Sequence, residues 1–245
     1  MKKYHLKTIL TCLIAAFLSN AIQAQEHFSR VRIGISGGTG YMYASTRDAE
    51  RELIRMGIDK HKVKDFYEKY KWGWQGDADI HIMVGPHIGV GAKYALFSTS
   101  AKMKNVSLGN YNGDGLHSFF GDFEDQLYIN YIGPSCFGQI FVNRNKTWKA
   151  TALMSYGYVN YRSESHILEV PSLMTGHSFG GYSEFGMEYH LNKTLSIGAK
   201  MNYFASLFRK FKVENNQGTQ TIKLSGRDLE NVSRYGISLG IRIHL

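Results

Sequence analysis

A few groupings of nucleophiles, bases and acids in this chain have spacings that could support chemistry. Gly176-His177-Ser178-Phe179-Gly180 carries the G-x-S-x-G pattern that presents a nucleophilic serine. His177 beside Ser178 and Glu184 further along could supply a base and the acid that orients it, which would give ester hydrolysis. Gly34-Ile35-Ser36-Gly37-Gly38 has the same pattern, so the match is cheap in a chain with 26 glycines. Neither stretch reads as the strand–turn–helix that lifts such a serine clear of a sheet. Asn110-Tyr111-Asn112-Gly113-Asp114-Gly115 opens like a calcium loop, but Gly121 stands where a bidentate Glu is needed, and a surface turn is the better reading. Gly89-Val90-Gly91 lacks the third glycine of a dinucleotide fingerprint, because Tyr94 takes its place. These residues therefore nominate no catalytic, cofactor-binding or metal-binding position and no cofactor.

A larger set of ionisable residues falls at alternating positions, and that spacing points to strands. In the last segment Tyr235, Ile237, Leu239, Ile241, Ile243 and Leu245 alternate with Arg234, Gly236, Ser238, Gly240, Arg242 and His244. Strand side chains point to opposite faces in turn, so one face is apolar and the other carries the charge. The same pattern recurs over Val31–Tyr43, Trp72–Val84, Ile88–Phe97, Trp148–Tyr161, Phe179–Leu191 and Leu195–Phe208. Leu127–Val142 is weaker, since Pro134 interrupts it and Ile132 lies on its more polar face. Short connections near Val84–His87, Asn143–Thr147 and Leu191–Thr194 alternate with long polar ones near Ser45–Lys71, Thr99–Gln126, Arg162–His177 and Arg209–Asn231.

Eight antiparallel strands, each with an apolar outer face, close into a transmembrane barrel with turns on one side and loops on the other. The fold class is therefore all-β. The apolar face of each strand carries an aromatic near the long-loop end: Tyr41, Trp74, Tyr94, Tyr131, Tyr156, Phe179, Tyr203 and Tyr235. Rings of this kind belong at a membrane interface, and a soluble barrel needs no such belt.

Parity sends Arg32, Lys93, Lys149, Lys200, Arg234 and Arg242 to the inside, with Asp77, Asp79, Glu184, Glu188, His81, His190 and His244. An eight-stranded barrel is only wide enough to be filled by its side chains, and buried ions must pair. A packed, salt-bridged lumen is expected; a proton relay or narrow pore is the alternative. In the first long loop, Val63, Phe66, Tyr67 and Tyr70 recur at helical spacing between Asp59 and Lys71. That predicts a short amphipathic helix that caps the barrel mouth, lies on lipid headgroups, or docks a partner.

Residues 1–24 read as a secretory leader: Lys2, Lys3 and Lys7 precede an apolar run over Ile9–Leu18, with cleavage expected after Ala24 and after Ala21 as the alternative. The mature domain is then 25–245. Its loss of three basic residues and no acidic ones from a chain of net charge +9 leaves +6. No nucleic-acid motif accompanies that charge, so basic loops facing acidic lipopolysaccharide or solvent are expected instead. Cys12 leaves with the leader and Cys136 has no partner in the chain, so no disulfide is expected.

The mature chain resembles the small outer-membrane β-barrel domain family of Gram-negative bacteria, of the OmpA/OmpX size class. The terminal Ser238-Leu239-Gly240-Ile241-Arg242-Ile243-His244-Leu245 fits that family's assembly signal, except that Leu245 stands where an aromatic is usual. Ile129-Asn130-Tyr131-Ile132-Gly133-Pro134 and Ile88-Gly89-Val90-Gly91-Ala92-Lys93-Tyr94 are also similar to such barrels. The resemblance implies residence in the outer membrane, contact with its lipids and lipopolysaccharide, recognition of the last strand by the assembly machinery, and a monomer. It implies a structural or surface-binding role through the loops; a lipid-modifying enzyme or a narrow pore or ligand-binding barrel are the alternatives.

Overall fold

The structure is a computed structural model that describes residues 29–44, 46–109, 118–167, 170–216, 218–226 and 229–245. The expected leader and the calcium-like Asn110–Gly115 lie outside the described residues. Eight strands form a closed antiparallel ring: β1 (Val31–Met42), β2 (Trp72–Met83), β3 (Ile88–Gly109), β4 (Ser118–Phe141), β5 (Trp148–Ile167), β6 (Val170–His190), β7 (Leu195–Phe208) and a last strand, β11 (Arg234–His244). Closure comes from β11, which pairs with both β7 and β1; Arg32 lies opposite His244 and Tyr41 opposite Tyr235. With every strand paired on both sides, no edge is left in the ring.

The short connections are tight because their side chains bond their own backbone. Asn143 Oδ1 accepts from the amides of Thr147 (3.0 Å) and Trp148 (2.9 Å), and Asn192 Oδ1 accepts from Thr194 (2.9 Å) and Leu195 (2.8 Å). Asparagine makes such turns readily because its side chain mimics a backbone acceptor.

Most of the long connections are themselves strand. β3, β4, β5 and β6 run for 22, 24, 20 and 21 residues, against 12 for β1 and 11 for β11. A tilted strand needs only about 9–11 residues to cross a bilayer, so half the wall stands beyond it. The last long connection adds a hairpin, β8 (Lys210–Asn215) and β9 (Gly218–Lys223), which pairs onto the extended part of β6 through Phe211–Asn215. A two-residue strand, β10 (Glu230–Asn231), pairs with the end of β7. The first long connection holds two helices rather than one. They are α1 (Arg47–Arg55) and α2 (Lys60–Tyr70), the latter capped by Asp59, whose carboxylate accepts from the amides of His61 and Lys62.

The outward residues are apolar over the middle of the ring. Ile35, Ile80, Val90, Ile132, Met154, Phe185, Met201, Leu239 and Ile241 all face out with large exposed surfaces. A contiguous apolar surface of this size is far above what water tolerates and fits a lipid environment. Seven of the eight rings expected on that face point outward; Tyr131 does not, being 1% exposed in the lumen.

The assignment of faces on β4 is thus reversed: Leu127, Ile129 and Tyr131 point in, and Ile132, Pro134 and Cys136 point out. The cause is that β4 passes from one solvent to another. Beyond the bilayer the wall has water outside and an apolar core inside, so its greasy face is the inner one. Pro134 is accommodated because it lies opposite open backbone: pairing of β4 with β5 lapses between Ile132–Tyr158 and Ser135–Ser155. Gly133 and Gly157 meet there so closely that a Cβ on Gly157 would lie 2.2 Å from the Ile132 carbonyl oxygen.

Candidate functional site

From the short-turn end upward, the lumen is filled in layers. The first is ionic. Arg32 of β1 pairs with Asp79 and with Glu188 (2.5 Å), and Arg242 Nε lies 3.2 Å from the same Glu188. Arg242 also donates to the Gly198 carbonyl (3.2 Å) and to Ser36 Oγ (3.3 Å). Above it, Lys93 and Lys200 alternate with Asp77 and Glu184 in a square. Lys93 pairs with Asp77 and lies 2.7 Å from Glu184, while Lys200 lies 2.6 Å from Asp77 and 3.0 Å from Glu184. Two cations and two anions arranged so neutralise one another, which is what a sealed low-dielectric interior demands, although Asp77 Oδ2 is left without a hydrogen-bond partner among the described residues.

Two of the six expected inner cations have no carboxylate partner among the described residues. Arg234 is fully buried, and its guanidinium is sandwiched between the rings of Phe97 (4.8 Å) and Phe204 (4.1 Å) with no hydrogen-bond acceptor among those residues. Lys149 opens toward the short-turn end, with its Nζ 5.0 Å from the Phe141 ring centre. The expectation that every inner charge pairs therefore holds for four cations. For Arg234, an aromatic pair takes the place of the carboxylate.

The next layer is aromatic. Tyr131, Tyr182 and Phe204 pack with ring centres 5.5–6.0 Å apart, and the Tyr131 hydroxyl bonds Ser155 Oγ at 2.5 Å. Above them Leu127, Ile129, Val159, Tyr161, Phe208 and Phe211 form a core like that of a soluble domain, and α2 closes it. Val63, Phe66 and Tyr70 of α2 are buried in that core, with Phe66 stacked on Tyr70 (5.8 Å) and edge-on to Phe123 (5.0 Å). Of the three placements open to this helix, it takes the mouth of the barrel. Lys62 ties it to the wall by donating to the carbonyls of Lys104 and Asn105.

The hydrolase-like residues do not assemble. His177 and Ser178 are neighbours on β6 and so leave the strand on opposite faces. His177 Nδ1 bonds the Tyr158 hydroxyl (2.5 Å) on the outside, Ser178 Oγ donates to the Leu207 carbonyl (2.5 Å), and Glu184 belongs to the ionic square. Ser36 also lies within a strand and is buried against Arg242. Among the described residues no group of His, Cys, Asp and Glu is placed to hold a metal ion.

What the spacing did not reveal is the outer half of the wall and its aromatic plug. The polar composition of 99–126, 162–177 and 209–231 reads as loop. The inward apolar residues that mark these stretches as strand, such as Met103 and Phe211, are too sparse to stand out.

The comparisons agree with this architecture. The family described as outer membrane protein beta-barrel domain matches residues 9–243. None of the curated proteins compared with the chain matches it. Among solved structures, a major outer membrane protein from Thermus thermophilus is similar with a TM-score of 0.51 at 10% identity, covering 88% of this chain and 99% of that one. The outer membrane protein OprG from Pseudomonas aeruginosa gives 0.48 at 12% identity over 91% of this chain and 99% of its own. The outer membrane protease OmpT from Escherichia coli gives 0.48 at 8% identity over 92% and 100%. A ring of eight antiparallel strands, apolar outside and charged within, together with a family match over nearly its whole length, identifies the chain as a member of the outer membrane protein β-barrel domain family, resident in the bacterial outer membrane.

Proposed function

We propose that this protein is a non-conducting, non-enzymatic barrel that acts at the cell surface, as a structural or adhesive element, through the part of its wall outside the membrane. The observation that carries this reading is the extension of β3–β6 to 20–24 residues, with the β8–β9 hairpin paired onto it. Such a wall is a rigid platform, and binding surfaces are best built on elements held in place by a scaffold. Its outer rim carries exposed cations, with Arg209 just before the hairpin and Lys210, Lys223 and the Glu214-paired Lys212 on it, which suits contact with the phosphates of lipopolysaccharide or with an acidic partner. The packed lumen argues against solute passage, and the scattered Ser178, His177 and Glu184 argue against hydrolysis there.

In this reading residues 1–24 are a leader removed on export, the strand over 238–245 is read by the assembly machinery, and the barrel works as a monomer. The test is adhesion of intact cells that display the protein to protein-coated surfaces. Cells displaying the full protein adhere more than cells without it, and changing Lys210, Lys212 and Lys223 together to Gln removes most of the gain at equal outer-membrane levels. Unchanged adhesion in that variant would place the function elsewhere.

A further inference from the structure

The periplasmic end of the lumen is not packed but opens as a cavity of about 650 Å³. It gathers cations from separate elements: Lys149 from β5, Arg32 from β1, and Lys146 and Lys193 from two of the turns, with His190 of β6 and His244 of β11 on its wall. No side-chain carboxylate among the described residues lines it. Glu188, opposite Lys149 across β5 and β6, and Asp79 are held by Arg32 and Arg242 in the ionic layer above.

Polar groups here lack the partners that burial demands. Lys149 is only 6% exposed, yet among the described residues no carboxylate lies within ion-pair range of it. The His190 and His244 rings stack at 4.8 Å; His244 Nε2 is taken by Ser196 Oγ at 2.9 Å, whereas His190 Nε2 is buried with no partner among the described residues. Orphaned polar atoms around a roomy cavity call for something that bonds to them, since each is otherwise a standing cost. A buried ammonium with no anion is costlier still.

We propose that this cavity binds a phosphate group, with Lys149 as its anchoring cation, His190 as a ring donor and Lys193 at the entrance. The available donors favour phosphate over carboxylate. The flat guanidinium fork that suits a carboxylate belongs to Arg32, which is committed to Asp79 and Glu188. What remains is ammonium and imidazole donors arriving from several directions, which suit the oxygens of a tetrahedral dianion. The phosphate can come free from the periplasm or on a lipid headgroup. Trp148 and Tyr189, paired at 5.0 Å on the outside of the same rim, set the mouth at the level of the headgroups.

The test titrates inorganic phosphate and glycerol phosphate into the detergent-purified full-length protein in phosphate-free buffer, followed by calorimetry. Lipids that co-purify are read in parallel by mass spectrometry. Free phosphate as the ligand predicts saturable binding that weakens about tenfold in Lys149→Met, one charge-assisted contact being lost, and is unaltered in Lys212→Met at the far end. A headgroup predicts instead that wild type retains phosphatidylglycerol after purification and Lys149→Met does not. Should Lys149→Met fail to fold, the rim pair Lys193→Gln with His190→Ala reads the same loss. A wild type that binds neither phosphate nor phospholipid, or variants that bind as wild type does, would overturn the assignment.

Discussion

Arg234 and Arg242 lie on the same face of β11, both buried, and their substitution should have opposite consequences. Arg242 shares Glu188 with Arg32, so Arg242→Met or Arg32→Met leaves that carboxylate underbalanced in a sealed lumen. Loss of one partner of a buried pair costs about 3–5 kcal/mol. Arg234 leaves no anion behind; Arg234→Met forfeits two ring contacts worth about 0.5–2 kcal/mol each but removes an unpaired buried charge, so it should be neutral or mildly stabilising. Unfolding in urea from lipid vesicles, followed by tryptophan fluorescence, checks the contrast. At this scale the sequence was informative about location and less so about partners. Strict alternation sends each of the six cations inward, because a one-residue slip would put it in lipid. Which carboxylate each meets depends on neighbours far along the chain, as with Arg32 and Glu188, and alternation says nothing of that.

Among the elements, α2 and β4 show where periodicity succeeds and where it misleads. The spacing of Val63, Phe66 and Tyr70 marked the helix and its buried face, while the capping role of Asp59 shows only in the structure. Its docking site was hidden, because the core it completes draws Phe97, Phe123 and Phe211 from β3, β4 and the hairpin. β4 misled because a rule that holds in lipid, apolar outward, reverses outside it; Tyr131 follows the outer rule. Since α2 completes a shared core, Phe66→Ala should cost about 3–5 kcal/mol, read from the same urea unfolding. The helix should also loosen in alkali. Burial is the largest cause of a raised pKa at both Tyr67, pushed up to about 12 from 10.0, and Tyr70, pushed well above it. A tyrosine that ionises later in the folded state lends stability that is whole below pH 10 and lost as pH rises toward 12. Tyrosinate absorbance with a protease-accessibility assay on Arg55 and Lys60 should show α2 released over that window, and accessibility that stays flat through it would contradict the seating described.

As a whole the molecule combines two solvent regimes in one closed sheet. Its lower half is apolar outside and ionic inside; its upper half is a water-exposed wall around an aromatic core. Closure and the number of transmembrane strands could be read from alternation and from the lengths of the turns, whereas the height of the wall could not, because polar loops and water-facing strands have similar compositions. The lipid-facing half makes one clear demand: Leu239, 68% exposed and outward, should not tolerate a charge. Leu239→Arg should cost about 2–4 kcal/mol if it lies near the midplane, while Leu239→Phe should be almost silent. Whether the ionic square, the aromatic layer and α2 seal the lumen is decided by single-channel recording of the purified protein in planar bilayers. Wild type should show no conductance above the lipid background at any voltage the bilayer withstands. Steady, voltage-independent channels from wild-type protein would contradict it.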